Sequence, residues 1–402
     1  MITTPPPGWR ETTVRRVLRV LDRPARSGLG VITAYRDGAV TLRSNRREDG
    51  YTFSDTENGY QEIRPGDLVF HALDGFAGAV GVSDSHGNGS PVYHVCEPIA
   101  GDDPSYLARL LRHLGTSGFL TTQAPNVRER SVDFRNWSTF ARIPLMLPPA
   151  DEQRVFADYL DRETARIEIF IEEQRRLIEL LRERRAAAIS HAVLDATTVR
   201  TQLRRVVDVI DCAHVTAEFV DDDKRYPVAS IRECRGTTVD LSECNYTTAE
   251  FFDHLRASGR APHSGDLLFI RNVSVGLVSV VTPDLPEFAV GQETVLLRRR
   301  TDIDPSFLRY ALIGTEVRHA IEGAMIGSTF RRINVSAVRA LPVPLPSLHE
   351  QRRIAVHLDE HTAKTDKLIA ETERFIELAQ ERCAALIASA VTGQMDVREA
   401  VA

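Results

Sequence analysis

The sequence predicts a chain of mixed α/β (α+β) class: two domains of similar length separated by two long helices that pair as an antiparallel coiled coil, the whole arising from a tandem internal duplication. Three observations carry this. When the sequence is shifted by 198 positions, the segment starting at Pro144 lies without a gap on the segment starting at Pro342, and about 24 of 50 positions are identical. Within each copy, apolar residues recur at three- and four-residue steps, the period of one helix face. Outside the copies, short β-type runs such as GAVTL, DLVFHAL, PVYHV, DLLFIRN, GLVSVV and ETVLL are punctuated by Gly, Asp and Asn, as strands of a twisted sheet are.

Taken in chain order, residues 1–141 form the first mixed domain and 142–195 the first helical region. Residues 196–340 form the second domain and 341–402 the second helical region. In the first helix the stripe runs through Ile167, Phe170, Ile171, Leu177, Ile178 and Leu181; in the second through Leu368, Ile369, Phe375, Ile376 and Leu386. A narrow stripe on each of two related helices finds its complement in the other copy. Ile171, Leu177, Ile178, Leu181, Ile369, Phe375, Ile376 and Leu386 are therefore expected in the helix-pair or subunit interface. Gln174 and its counterpart Thr372 interrupt both stripes at the same point, as polar residues that fix register do. Pro-rich turns precede both helices, Ser347 with Glu350 has the spacing of a capping box, and Asp151 is the expected cap of the first helix, where Pro149 replaces the serine. The two domains echo each other more weakly, as in RPGDLVF from Arg64 against HSGDLLF from His263.

The 402 residues are 43% hydrophobic and 26% charged, enough for two or three cores and inconsistent with a disordered or collagen-like chain. No apolar run approaches a membrane span and the N-terminus lacks a leader-like apolar segment, so a cytoplasmic address is expected. Five cysteines without a C-x-x-C pair point to buried thiols, not to a disulfide framework or a metal site. The net charge of −6 excludes the uniform positive field of a sequence-blind nucleic-acid binder. Lysine occurs only at Lys224, Lys364 and Lys367, so a P-loop Gly-Lys pair is missing. The metalloprotease, nucleophile-elbow and dinucleotide fingerprints are missing as well. No catalytic residue and no metal ligand set is expected. Asp211, His214 and Thr216 lie close in sequence but lack a fourth ligand or a nucleophile, and are read as a structural or DNA-facing loop.

The segments LPVPLPSLHEQRRIA and IPLMLPPADEQRVFA, each followed by L-D-x-x-T-A, resemble the repeated helical regions of specificity subunits of type I restriction-modification systems, the HsdS family. In the second half, IDCAHVTAEF, YPVASIRE, SGDLLFIRN, VGLVSVV and GSTFRRINVSAVRALPVPLP resemble one target-recognition domain of that family. In the first half, DGAVTLRSNRREDGY, GDLVF, AVGVSDSHGNGSPVYHV and DFRNWSTFARIPLMLP resemble a different one. The resemblance implies a non-catalytic subunit in which each domain reads one half of a bipartite site in double-stranded DNA. The helices would set the spacing and dock two methyltransferase subunits and, for cleavage, restriction and translocase subunits. S-adenosylmethionine, ATP and Mg would be used by those partners and none bound by this chain. A helix of about 40 residues spans roughly 60 Å, and half to two-thirds of that matches on the order of 10 base pairs. The other class that fits a duplicated frame is a protein-binding adaptor without a DNA role.

Readout of bases favours Arg for guanine and Asn or Gln for adenine, with hydroxyls and amides on phosphates. Arg43, Asn45, Arg46 and Arg47 have that composition in the first domain, as do Arg128, Arg130 and Arg135. Lys224, Arg225, Arg271, Asn272, Ser328, Thr329, Arg331, Arg332 and Asn334 have it in the second. Arg298, Arg299 and Arg300, after ETVLL, are read as surface charges.

Overall fold

The computed structural model describes residues 7–46, 59–99, 101–124, 127–128, 131–215, 218–220, 225–326 and 331–395. It contains two compact units, residues 1–174 with 374–402, and residues 175–373. Each unit holds one mixed domain together with a stretch of each long helix.

The first unit is built on a four-stranded antiparallel sheet of β1 (Leu18–Val20), β2 (Leu68–His71), β3 (Val80–Val82) and β4 (Tyr93–Pro98), in the spatial order β1-β4-β2-β3. Helix α1 (Pro104–Thr116) and the start of the long helix α2 (Ala150–Asp195) cover it. The second unit repeats the order with β5 (Val207–Asp211), β6 (Leu267–Ile270), β7 (Val278–Val280) and β8 (Thr294–Arg299), arranged β5-β8-β6-β7. Helix α3 (Pro305–Ile313) and the start of α4 (Leu348–Val391) lie on it. Leu68 pairs with Val82 in one sheet as Leu267 pairs with Val280 in the other. The central strands read as unbroken apolar runs because both faces are buried. Leu68 and Phe70 join the helix-side core while Val69 joins the opposite one. Leu267 and Phe269 divide from Leu268 and Ile270 in the same way.

The shared Gly-Asp of RPGDLVF and HSGDLLF makes the turn into the second strand of each sheet. Gly66 and Gly265 sit at φ of +92° and +82°, where a side chain is strained. The carboxylates of Asp67 and Asp266 accept the backbone N–H of Arg64 and His263 at 2.7 and 2.9 Å. Each carboxylate also holds an arginine, Arg23 at 2.6 Å and Arg298 at 3.0 Å. Arg298 is thus part of this turn, and Arg300 pairs with Asp208 at 3.2 Å.

The Gln of the repeated E-Q-R element is buried in both units, with 0% of Gln153 and 1% of Gln351 exposed. Asp103 caps α1 by accepting from the Tyr106 N–H, and Asp304 caps α3 by accepting from the Phe307 N–H. The backbone N–H of each capping residue in turn donates to the glutamine carbonyl, both at 2.9 Å. The glutamine amides donate back to Pro148 O and Pro346 O at 3.1 and 2.9 Å. One carboxamide thereby closes the Pro-rich turn and fixes the long helix to the domain helix.

The helix starts differ from the expected caps. Asp151 lies inside the first turn of α2, and the Pro149 carbonyl accepts from Glu152 and Gln153. A proline at 149 moves the first helical residue to Ala150, one position ahead of the aspartate. Ser347 does accept the Glu350 N–H at 3.3 Å. The Glu350 carboxylate is turned to Arg353, completing only half of a capping box.

Within the second unit the helices run antiparallel. Arg182 pairs with Glu373 and Arg185 with Asp366, at 3.1 and 3.0 Å. Ile189 and Val193 share a core with Ile354, Ala355 and Leu358. In the first unit Phe156, Ala157 and Leu160 share one with Ala390 and Val391. Ile171, Ile178 and Ile369 are buried and Leu181, Ile376 and Leu386 half-buried. Leu177 and Phe375 are instead exposed, at 37% and 56%. Each precedes a stripe isoleucine by one residue, which turns it about 100° off that line. Thr372 is buried, its hydroxyl donating to the Leu368 carbonyl of its own helix.

The five cysteines are free, four buried and Cys383 half-buried. Burial pushes the Cys234 thiol up to about 12 and the Cys212 thiol up to about 11. No helix among the described residues is long and apolar enough to cross a membrane, and no group of His, Cys, Asp and Glu there has a metal-holding arrangement.

Two predictions follow from this packing. Gln351→Leu strands the Asp304 N–H and the Pro346 carbonyl in the interior, and thermal unfolding should show a loss of about 2–6 kcal/mol, at 1–3 for each unpaired group. His71, His94 and His113, all in the first unit, are held below the ordinary histidine value by burial. The unfolded chain therefore takes up protons first, and the first unit loses stability as pH falls below about 6.5. Both tryptophans, Trp9 and Trp137, lie in that unit, so the urea midpoint read by tryptophan fluorescence should fall between pH 7 and pH 5. His94→Gln keeps a donor for the Phe134 carbonyl, which His94 Nε2 meets at 2.7 Å, and should reduce the slope.

Candidate nucleic-acid interface

In the first domain, Arg43 and Asn45 form a 3-10 turn after the strand Val40–Leu42. Asn45 donates to Thr41 Oγ1 at 2.9 Å and Arg43 reaches Thr33 Oγ1 at 3.3 Å. Arg46 pairs with Asp37 at 2.5 Å and lies 4.9 Å over the Tyr35 ring. Burial alone would raise the Asp37 carboxyl, but hydrogen bonds from the Ala39 N–H and Arg46 hold it below the usual range. Arg135 grips Asp133 with two bonds of 3.0 and 2.7 Å. Arg43 has no carboxylate partner among the described residues. Arg128 belongs to a short strand pair, Val127–Arg128 with Ser131–Val132, of which the backbone is described. Arg47 and Arg130 lie outside the described residues.

The second domain gathers candidates that are some 60 residues apart in sequence. Arg271 follows β6, and its backbone N–H donates to Glu293 O while its carbonyl accepts from the Ile333 N–H, both at 2.9 Å. Asn272 bridges Arg332, and Arg332 bridges Ile326 on its other side. Arg271, Asn272, Arg331 and Arg332 thus share one surface. Arg331, Arg332 and Asn334 are exposed; no carboxylate partners either arginine among the described residues. Arg271 differs from the expected outward reader. Its side chain is 14% exposed and turns inward, with Nη2 3.4 Å from His214 Nδ1 and Nε 3.8 Å from Asp211. His214 Nε2 lies 3.1 Å from the same carboxylate, so Asp211 is shared between the inward-turned Arg271 and the exposed His214. Arg225 stacks at 5.5 Å on Tyr226. Lys224, Thr216, Ser328 and Thr329 lie outside the described residues.

Beside this surface, the second domain and its own helix segments enclose a cleft of about 970 Å³. Six arginines line it (182, 185, 235, 309, 318 and 331) against Glu322, Asp366 and Glu373. Glu373 and Asp366 are taken by Arg182 and Arg185. The cationic excess therefore comes from the domain side, where low-dielectric walls concentrate the field on an anionic ligand. The matching cleft of the first unit, about 710 Å³, has Arg109 and Arg112 against Asp37, Asp161 and Glu168. Sequence reading had no means of finding either cleft, because their walls come from segments distant in the chain.

Residues 245–378 match the family model described as the type I restriction modification DNA specificity domain. The match covers about a third of the chain. The specificity domain so matched includes β6, β7, β8, α3 and the first part of α4. The fold of the whole chain is similar to that of a chain solved for the structural basis underlying complex assembly and conformational transition of the type I R-M system, at 17% identity and a TM-score of 0.75, covering 98% of this chain and 100% of that one. It is also similar to the HsdS subunit from Thermoanaerobacter tengcongensis, at 16% identity and a TM-score of 0.55, covering 98% and 99%. No curated protein sequence gives a match.

Arg332→Ala should weaken binding of the assembled complex to duplex DNA and lower the slope of log K against log salt by about 1, the signature of one lost phosphate contact. Arg300→Ala, which breaks the pair with Asp208, should leave both unchanged.

Proposed function

We propose that this chain is the DNA specificity subunit of a type I restriction-modification complex, itself non-catalytic, in which each mixed domain reads one half of a bipartite site. The observation that carries the proposal is the specificity-domain match at residues 245–378, set beside a first unit with the same strand order. In this reading the gathered Arg331, Arg332, Asn334 and Asn272 face the second half-site. The loop around Arg43 and Asn45 and the one around Arg135 face the first. Arg46 and Arg135, already neutralised by Asp37 and Asp133, position those loops and exchange partners only where phosphate displaces the carboxylate.

The helices set the distance between half-sites and dock two methyltransferase subunits and the restriction and translocase subunits. Base flipping and methyl transfer take place in the methyltransferase, with S-adenosylmethionine, ATP and Mg used by the partners in the cytoplasm. With a net charge of −6, the isolated chain supplies few of the phosphate contacts on which affinity depends. It is expected to bind DNA weakly until the partners join.

A single-molecule methylome of the host with and without the gene tests the proposal. Loss of one bipartite N6-methyladenine motif on deletion is expected and yields both half-sites and the spacer. A methylome that does not change, together with a purified chain that captures no methyltransferase, would sink the proposal.

A further inference from the structure

Val273 stands at the tip of the turn after β6, with a φ of +61°. A β-branched side chain is a rare occupant of this region, where its Cβ crowds the following carbonyl. Ser258 is the one other non-glycine residue with positive φ among the described residues. Val273 is held there from several sides: its N–H donates to Arg331 O at 3.0 Å, the Ser274 N–H to Asn272 O at 2.7 Å, and the Gly276 N–H to Ile270 O at 2.9 Å. The side chain is 66% exposed, so no core contact returns the cost of the conformation. Glycine would relieve the strain, and a polar residue would suit the exposure. A strained, outward-facing apolar residue whose backbone is over-determined is the pattern expected where the compensating contact lies in a ligand.

The neighbours indicate which ligand. Asn272 precedes Val273, and the exposed Arg331 and Arg332 lie across the backbone pairing. Ile326, 47% exposed, pairs with Arg332 on the far side. Apolar groups are thus set among guanidinium and amide donors. On the major-groove edges of a duplex the apolar group is the 5-methyl of thymine, amid acceptors and amines that Arg and Asn recognise.

We propose that Val273 is a specificity-determining residue, packing its methyls on the 5-methyl group of a thymine in the half-site read by the second domain. The proposal rests on the specificity-subunit reading above. The test uses the complete complex of this chain with its methyltransferase subunits and duplexes carrying the motif found in the methylome. Thymines of the second half-site, on either strand, are replaced one at a time by deoxyuridine. The wild-type complex should lose about fourfold in methylation rate at one such position, the worth of one buried methyl group. Val273→Gly should be slower on the natural duplex and indifferent to that replacement, with a melting temperature equal to or above wild type. Val273→Asn tolerates the same backbone but lacks the methyls, and should behave likewise.

Variants with the wild-type uracil profile overturn the role of Val273, as does a second half-site without thymine. Variants that melt normally but no longer assemble with the methyltransferase also overturn it and assign the residue to a protein contact. Absence of any gene-dependent methylated motif fails the specificity reading itself, before Val273 is tested.

Discussion

In each unit a buried carboxamide ties the mixed domain to the long helix that starts beside it. Gln153 and Gln351 each accept the N–H of the aspartate that caps the domain helix and donate to the carbonyl of the Pro-rich turn beneath their own helix. A buried amide must satisfy all such groups or forfeit the desolvation of each. The geometry is therefore all-or-none: helix start, turn and domain helix are fixed together. A carboxylate in place of the amide could not donate, and a shorter side chain could not reach. The orientation of each sheet on its helix follows from that bond set and the cores around it, Phe156 and Leu160 in one unit, Ile354 and Leu358 in the other.

On this common frame the two units carry different chemistry. Strand order, turn geometry at Gly66 and Gly265, and the capping aspartates are shared. The clefts are not: one has an arginine excess and the other does not. Among the described residues the exposed Arg331 and Arg332 of the second domain have no carboxylate partner, whereas Arg46 and Arg135 in the first are paired. A frame preserved by buried polar contacts leaves the loops free to diverge, because loop residues make few of the bonds that hold the fold.

The sequence carried the long helices plainly, since apolar period is a local property of the chain. It carried the Gly-Asp turn as a repeated word without its meaning, because the arginine each aspartate holds is distant in sequence. Arg298 and Arg300 read as surface charges; the exposed Arg300, paired with Asp208, agrees with that, whereas Arg298 is held inside the turn by the buried Asp266. The candidate site was legible by residue type alone. Arg271 has the composition of a base reader and the position of a buried ion-pair partner, and only the path of the chain distinguishes the two. Leu177 and Phe375 belong to the apolar count of the stripe but miss its line by one residue, a distinction that depends on helix phase.

By itself the sequence determined the class of the fold, the long helices and the family resemblance, because these depend on periodicity and on motifs contiguous in the chain. Tertiary structure decided which arginines are neutralised by carboxylates, which face a cleft, and that a valine occupies a left-handed backbone beside Arg331. The last of these depends on backbone hydrogen bonds between residues some 60 positions apart, and no local pattern of side chains encodes it.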